Sequence, residues 1–351
     1  MSLPPRPALP SRRHVAATLV LLTLALGAPA VRAADAPAAD RGPLILYSAQ
    51  HEQMVDALTR MFTQQTGIKV RIRSGEAPEI ASQIAQEGAG SPADVYFTEN
   101  SPELTLLDEK GLLAPVDPAT LAAVPAQYSA TDGHWVGVLA RENVLAFNPS
   151  LIAEDKLPVS LLDLAKPAWQ GKVAIAPSDA DFLPLVGAVA ALNGEAAALE
   201  WLRGLRRNAQ IFDDDEGVVA AVDRGAVATG IINNYYWARL YTEQGATHTH
   251  SRIHHFAPGD IGALINVSGA AVLKSSKHPQ AAQRFLAFLV STPVQTAIGK
   301  GDVDFEYPLA HGVAPNKLLT PFDALRPPPI SMSALGDDQL AGRLLRQAGL
   351  L

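Results

Sequence analysis

Three short segments of the chain carry side chains able to grip a hard cation. Gln50-His51 offers an imidazole, Thr98-Glu99-Asn100 a carboxylate, and Asn233-Asn234-Tyr235-Tyr236 two adjacent phenols. A phenol ordinarily loses its proton near pH 10. A bound, highly charged cation can hold it as phenolate at neutral pH, because the ion's own charge dominates local titration. One nitrogen among oxygen donors suits a hard ion better than copper(I) or zinc. Phenolate in particular points to Fe(III), since zinc, calcium and magnesium rarely need it. Each residue alone has a plainer role. A Tyr-Tyr-Trp run at a helix start more often packs than ligates, a histidine can cap a helix or sit satisfied in a core, and surface acids are mostly solvated. What argues for a site is that all four follow a strand.

The elements that must position them alternate. Leu44-Ile45-Leu46-Tyr47-Ser48 reads as a strand, and residues 52–65 place Met54, Leu58, Met61 and Phe62 at helical spacing, closed by Gly67. Ile68-Lys69-Val70-Arg71-Ile72 alternates with period two, 77–87 reads as a helix, and Ala93-Asp94-Val95-Tyr96-Phe97 as a third strand. The pattern resumes with a strand at Lys172-Val173-Ala174-Ile175-Ala176 and helices at about 181–192 and 195–205. A strand over 226–232 and a helix from Asn234 follow. Repeated strand–helix–strand order predicts α/β lobes with largely parallel sheets. Two long β-rich stretches, 135–147 and 263–273, are long enough to pass between two lobes and make a hinged cleft. Ligands of open α/β sheets bind beyond the carboxyl ends of strands. That rule selects Gln50-His51, Thr98 to Asn100, Pro177 to Asp181 and Asn233 to Tyr236. The expected division is 43–140 with 266–315 as an N-terminal lobe and 141–265 with 316–351 as a C-terminal lobe.

The N-terminus reads as a leader. Arg6, Arg12 and Arg13 precede a 12-residue apolar run, Val15 to Leu26, and a small-residue stretch ending at Ala33. The run is too short to span a bilayer, which takes about 20 residues. A signal peptide over 1–33 and a flexible leader over 34–42 follow, and Ser11-Arg12-Arg13 also fits a twin-arginine export signal. Cleavage would remove four arginines and no acids, moving the formal charge from −7 to −11. So acidic a chain is a poor partner for nucleic acid. With no cysteine it has no disulfide, thiolate metal site, Cys nucleophile or lipidated N-terminal Cys. The expectation is a periplasmic monomer that touches the membrane only through partner proteins.

Other chemistries fit less well. His51-Glu52-Gln53-Met54-Val55 lacks the second histidine of a zinc-protease helix. No Gly-x-Ser-x-Gly elbow or phosphate-cradling loop ending Gly-Lys-Ser/Thr is present. His248, His250, His254 and His255 form a second cluster. His248 and His250 would share one face of a strand and could bind Zn(II) or Cu(II), but scattered histidines on a solvated strand are the more ordinary reading.

Three stretches resemble the periplasmic ferric-ion-binding proteins of bacterial ABC importers: 46–51, Ser91-Pro92-Ala93-Asp94-Val95-Tyr96-Phe97-Thr98-Glu99, and Ile231-Ile232-Asn233-Asn234-Tyr235-Tyr236-Trp237. The segments 262–264, 267–276, Glu306-Tyr307-Pro308-Leu309 and 343–349 are similar too, so the likeness runs from about Leu44 to Leu351. The resemblance implies a two-lobe periplasmic-binding-protein fold with a hinged interdomain cleft. It implies Fe(III) held by His51, Glu99, Tyr235 and Tyr236, and delivery to an inner-membrane permease and its ATPase. The family often completes the iron shell with a small anion, and here the sequence departs. Asn100 stands where Gln is common, Ser178-Asp179-Ala180-Asp181 replaces a Ser/Gly-rich loop, and a usual Asn falls within Asp213-Asp214-Asp215-Glu216. Extra carboxylates repel an anion. Asn100, Ser178 and Asn233 are therefore candidate anion or outer contacts, and a carboxylate such as Asp179 is a candidate to replace the anion. The alternatives are a protein of the same fold carrying an organic cation, polyamine or oxyanion, and a metal-dependent periplasmic hydrolase. The latter needs an open metal position that four protein ligands hardly leave.

Overall fold

In the computed structural model the described residues are 42–351, apart from Asp302 and Asp337. The expected signal peptide and residues 34–41 of the leader lie outside them. β1 (Leu44–Ala49) is almost wholly buried, so its sequence shows no polar alternation. α1 (Glu52–Thr66) buries Met54, Val55, Leu58 and Phe62, the stripe its spacing dictates, and Gly67 ends it at φ 75° in the left-handed region. β2 (Val70–Ser74) and α2 (Ala77–Glu87) lead to β3 (Val95–Thr98). The three strands are parallel, in the order β2-β1-β3. α3 (Pro102–Glu109), β4 (Leu113–Ala114) and the single turn α4 (Pro118–Leu121) carry the chain to β5.

β5 (Val136–Phe147) is buried over all 12 residues. The second half of the fold follows: β6 (Val173–Ile175), α5 (Phe182–Asn193), α6 (Glu195–Asn208), β7 (Ala209–Ile211), α7 (Asp215–Asp223), β8 (Thr229–Asn233), α8 (Asn234–Gln244) and β9 (Arg252–His254). β6 runs parallel to both β7 and β8. The chain returns on β10 (Ile265–Leu273) and continues through α9 (Pro279–Leu289), α10 (Thr292–Lys300), β11 (Tyr307–Pro308) and α11 (Gln339–Ala348).

The sheet order is β2-β1-β3-β10-β5-β8-β6-β7. Its flanks are parallel, as expected, but its centre is antiparallel. β10 pairs antiparallel with β3 and with Val136–Glu142 of β5, while Asn143–Phe147 of β5 pairs antiparallel with β8. The reason is topological: one chain crosses outward on β5 and comes back on β10. Each half has its own cover. Phe285 and Phe288 of α9 meet Phe62 of α1 edge-on at 5.0 and 5.3 Å, and α11 packs on α5 and α6. Two strands start later than their apolar runs do. The second starts at Val70, not Ile68. The run from Ala226 loses its first three residues to the turn that ends α7, where Gly225 takes φ 76°. At Gly230 a Cβ would lie 2.4 Å from Val218 Cγ1, so α7 settles directly on β8.

Candidate functional site

The ends of β1, β3 and β8 and the loop after β6 converge. His51 is the residue before α1, yet its side chain makes no capping bond. Its backbone N–H donates to Gln50 Oε1 at 2.8 Å, and Gln50 Nε2 donates to Ser268 Oγ of β10 at 2.8 Å, which ties the end of β1 across the sheet. The imidazole is therefore left for other work. His51 Nδ1 lies 3.2 Å from Glu99 Oε1, and its Nε2 is buried without a hydrogen-bond partner. Glu99 follows β3, with its backbone N–H bonded to Ala49 O at 3.1 Å.

Tyr235 and Tyr236 occupy the first turn of α8, buried, with rings stacked at 4.2 Å. The edge of the His51 ring meets Tyr235 at 5.5 Å, so the imidazole brought by β1 and the phenols brought by β8 share one cluster. Tyr235 Oη donates to Asp181 Oδ2 at 2.9 Å. Arg239 lies over both rings, 5.4 and 5.7 Å from their centroids, and pairs with Glu216 at 2.9 Å and Asp304 at 3.3 Å.

Beneath these groups lies the fully buried Arg141 of β5. Nη1 donates to Glu306 Oε1 at 2.7 Å and to Ser268 Oγ at 3.0 Å. Nη2 donates to the Glu99 carbonyl and, at 2.7 Å, to Asn100 Oδ1. Nε lies 3.0 Å from Asp181 Oδ1 as an ion pair, off the line of the N–H and so without a hydrogen bond. One guanidinium thus holds segments from both halves of the sheet.

Burial and neighbouring carboxylates perturb every titratable group of the cluster. Burial, then the Asp181 charge, pushes the Tyr235 and Tyr236 phenols far above their usual range. Burial, then Asp181, also raises the Glu99 carboxyl well above normal. Burial lowers the His51 imidazole against the pull of Asp304 and Asp181, so it is neutral and offers a lone pair.

The other sequence candidates fare differently. Asp179 does not face the phenols as a free donor. Its carboxylate accepts the Asp181 and Asp215 backbone N–H groups, both at 3.0 Å, because it sits in the tight turn before α5. Burial and the Asp181 charge raise its pKa to about 6. Ser178 Oγ donates to the Asp213 carbonyl at 3.1 Å. Asn100 is engaged by Arg141 and Asn266. Asn233 gives its backbone N–H to Asp215 Oδ2 at 3.1 Å, and its own Oδ1 lacks a partner. Within the acidic run, Asp214 caps α7 by accepting from Gly217 N at 2.7 Å. The four histidines do not converge. His248 and His250 lie in the loop after α8 rather than on a strand, because Gly245 ends that helix at φ 78° and a turn follows. His254 meets the Pro158 carbonyl at 3.0 Å, and His255 pairs with Glu142 at 3.0 Å.

Arg141, Arg239 and Asp304 carry no expectation in the sequence, and Asp181 and Glu306 lie in segments singled out there without a role of their own. The signal for Arg141 was present: Arg141-Glu142 interrupts an otherwise apolar strand, where a charge must be paired.

A family model for bacterial extracellular solute-binding proteins matches residues 57–321. The chain is 40% identical over 318 residues to an Fe(3+)-binding periplasmic protein of Serratia marcescens, covering 91% of this chain and 93% of the relative. It is 37% identical to a major ferric iron-binding protein of Neisseria meningitidis, covering 93% and 98%. The structure of iron-bound HitA from Pseudomonas aeruginosa superimposes with a TM-score of 0.83 at 44% identity, over 88% of this chain and 99% of that one. The two-lobe architecture is therefore that of the periplasmic binding proteins, and the chain belongs to the bacterial extracellular solute-binding proteins, in the group of the periplasmic ferric-iron-binding proteins.

Proposed function

We propose that this chain binds one ferric ion between its two lobes and delivers it, in the periplasm, to an inner-membrane permease and its ATPase. Residues 43–140 with 266–315 form one lobe and 141–265 with 316–351 the other. β5 and the chain entering β10 are the hinge. Tyr235 and Tyr236 bind the ion first, losing their protons, and closure brings His51 and Glu99 from the opposite lobe. The observation that carries this reading is the meeting of the part-buried His51–Glu99 pair with the buried, stacked phenols in one cluster.

Asp181, not Asp179, reaches a phenol hydroxyl, and Asp181 is the carboxylate we place beside the ion in the role a small anion would play. Arg141 cannot serve a free anion well, since its donors are already taken up by Glu306, Ser268, Asn100 and the Glu99 carbonyl and Asp181 pairs with its charge. Iron uptake then proceeds in buffer free of phosphate and carbonate.

Export through the 1–33 leader, by the general or the twin-arginine route, belongs to the same proposal. Among the described residues no helix is long and apolar enough to cross a membrane. The protein works as a monomer in this reading. The relatives are named as iron-binding proteins, which leaves the hydrolase reading without support. The test is ferric titration of Tyr235→Phe and Tyr236→Phe. Each should lose charge-transfer colour and affinity, and an unchanged spectrum in either would remove that residue from the ligand set.

A further inference from the structure

A second group of metal-binding side chains lies apart from the cleft. Asp108 is in the last turn of α3, and Asp132 and His134 flank Gly133 in the turn before β5. Gly133 takes φ 80°, a left-handed turn that sets Asp132 and His134 side by side. His134 Nδ1 lies 2.7 Å from Asp108 Oδ1 and 3.1 Å from Asp132 Oδ2. One ligand atom from each residue falls within 4.8 Å of the other two. The segment holding Glu99 and Asn100 enters α3 at its other end, roughly 12 Å of helix away.

Three features favour a cation here over a simple ion pair. Two carboxylates converge on one imidazole nitrogen, which can satisfy only one of them with a proton. Asp108 stands at the carbonyl end of its helix, where negative charge is unfavourable and cations are favoured, and no basic residue occupies that last turn. The spacing also fits. The 2.7 and 3.1 Å contacts are hydrogen-bonding distances, and opening them by a few tenths of an ångström gives the spacing of about 3.3 Å that a tetrahedral zinc ion with bonds near 2.0–2.2 Å needs. One nitrogen with two carboxylate oxygens is a borderline set, suited to Zn(II) with water in the fourth position.

We propose that Asp108, Asp132 and His134 bind one divalent zinc-class ion, which pins the end of α3 to the turn feeding β5. The ion has no part in iron capture. It braces the strand along which the lobes hinge.

The test is titration of the full protein with Zn(II) alone, read by competition with a chromogenic zinc chelator and by thermal melting. His51→Ala is the control, since it removes the cleft imidazole and leaves this cluster intact. Asp132 is half-exposed, so Asp132→Asn should fold even if His134→Ala does not. The expected result is one zinc equivalent that raises the melting temperature, persists in His51→Ala, and weakens about tenfold or more in Asp132→Asn and His134→Ala, at least the loss that follows removal of an outer-shell partner. Equal zinc binding by parent, Asp132→Asn and His134→Ala would overturn the proposal. So would loss of zinc in His51→Ala, which would place the ion in the cleft. Neither result bears on ferric binding, which is read separately from phenolate colour.

Discussion

Asp181→Asn separates two roles for one carboxylate. The side chain keeps its size and loses its charge. In the folded protein Asp181 accepts from Tyr235 Oη at 2.9 Å and lies 3.0 Å from Arg141 Nε. After burial, its charge is the first-ranked influence holding both phenols protonated. A neutral amide therefore makes the phenols easier to ionise, and if Asp181 were only scaffolding, ferric affinity would hold or rise. If its oxygen sits against the ion, affinity falls. The expected loss is about 100-fold, the upper end of what removal of an outer-shell partner costs, or about 2.8 kcal/mol. The apoprotein should also lose about 3 kcal/mol of stability. That is the low end for a broken buried pair, because Glu306 at 2.7 Å still faces the guanidinium. The assay is titration with ferric citrate, followed by phenolate absorbance against increasing competing citrate. Urea unfolding of the iron-free variant runs beside it. Affinity within twofold of the parent, in a variant destabilised as stated, would refute Asp181 as a ligand.

Ferric affinity should fall steeply with acid. Both phenols are raised by burial, so the iron-free site carries their protons and binding must release two, giving about a 100-fold loss per pH unit. Glu99, also raised, adds a further proton below its own folded value, whereas His51, lowered by burial, is already neutral near pH 7 and adds to the slope only in more acid solution. A slope near zero between pH 6 and 8 would contradict phenolate ligation. Arg141→Leu should destabilise by about 3–5 kcal/mol in urea, since it leaves the buried Asp181 and Glu306 without their common partner. A loss under about 1 kcal/mol would mean that these acids are held neutral. Gly230→Ala should cost about 1–3 kcal/mol, because the new Cβ falls 2.4 Å from Val218 Cγ1 and must push α7 off β8. An unaltered unfolding midpoint would show that α7 shifts freely.

Much of this was legible because local signals and tertiary roles agreed. The α1 stripe, Gly67, and the long buried runs that became β5 and β10 follow from periodicity and length. That His51, Glu99 and the tyrosines come together could be expected because each follows a strand end. The antiparallel centre could not be read, since direction in a sheet is a property of connections and not of any one strand. Which carboxylate of the Ser178–Asp181 loop reaches the phenols is not written in the sequence. Asp179 and Asp181 look alike in sequence, and only the turn before α5 decides that the first spends its oxygens on backbone amides while the second faces Tyr235. Arg141, Glu306 and Asp304 come from three distant segments, so nothing in their spacing links them. The strand expected at His248 and His250 failed because Gly245 directs the chain into a turn.

The central claim is that two neighbouring phenols, with an imidazole and carboxylates facing them, hold a trivalent ion. Chelator-stripped protein titrated with ferric citrate, followed by visible absorbance and metal analysis, tests it directly. The account predicts one iron per chain and a phenolate-to-iron charge-transfer band that the Tyr235→Phe, Tyr236→Phe double variant lacks. A folded parent protein that stays colourless and takes up no iron would contradict it.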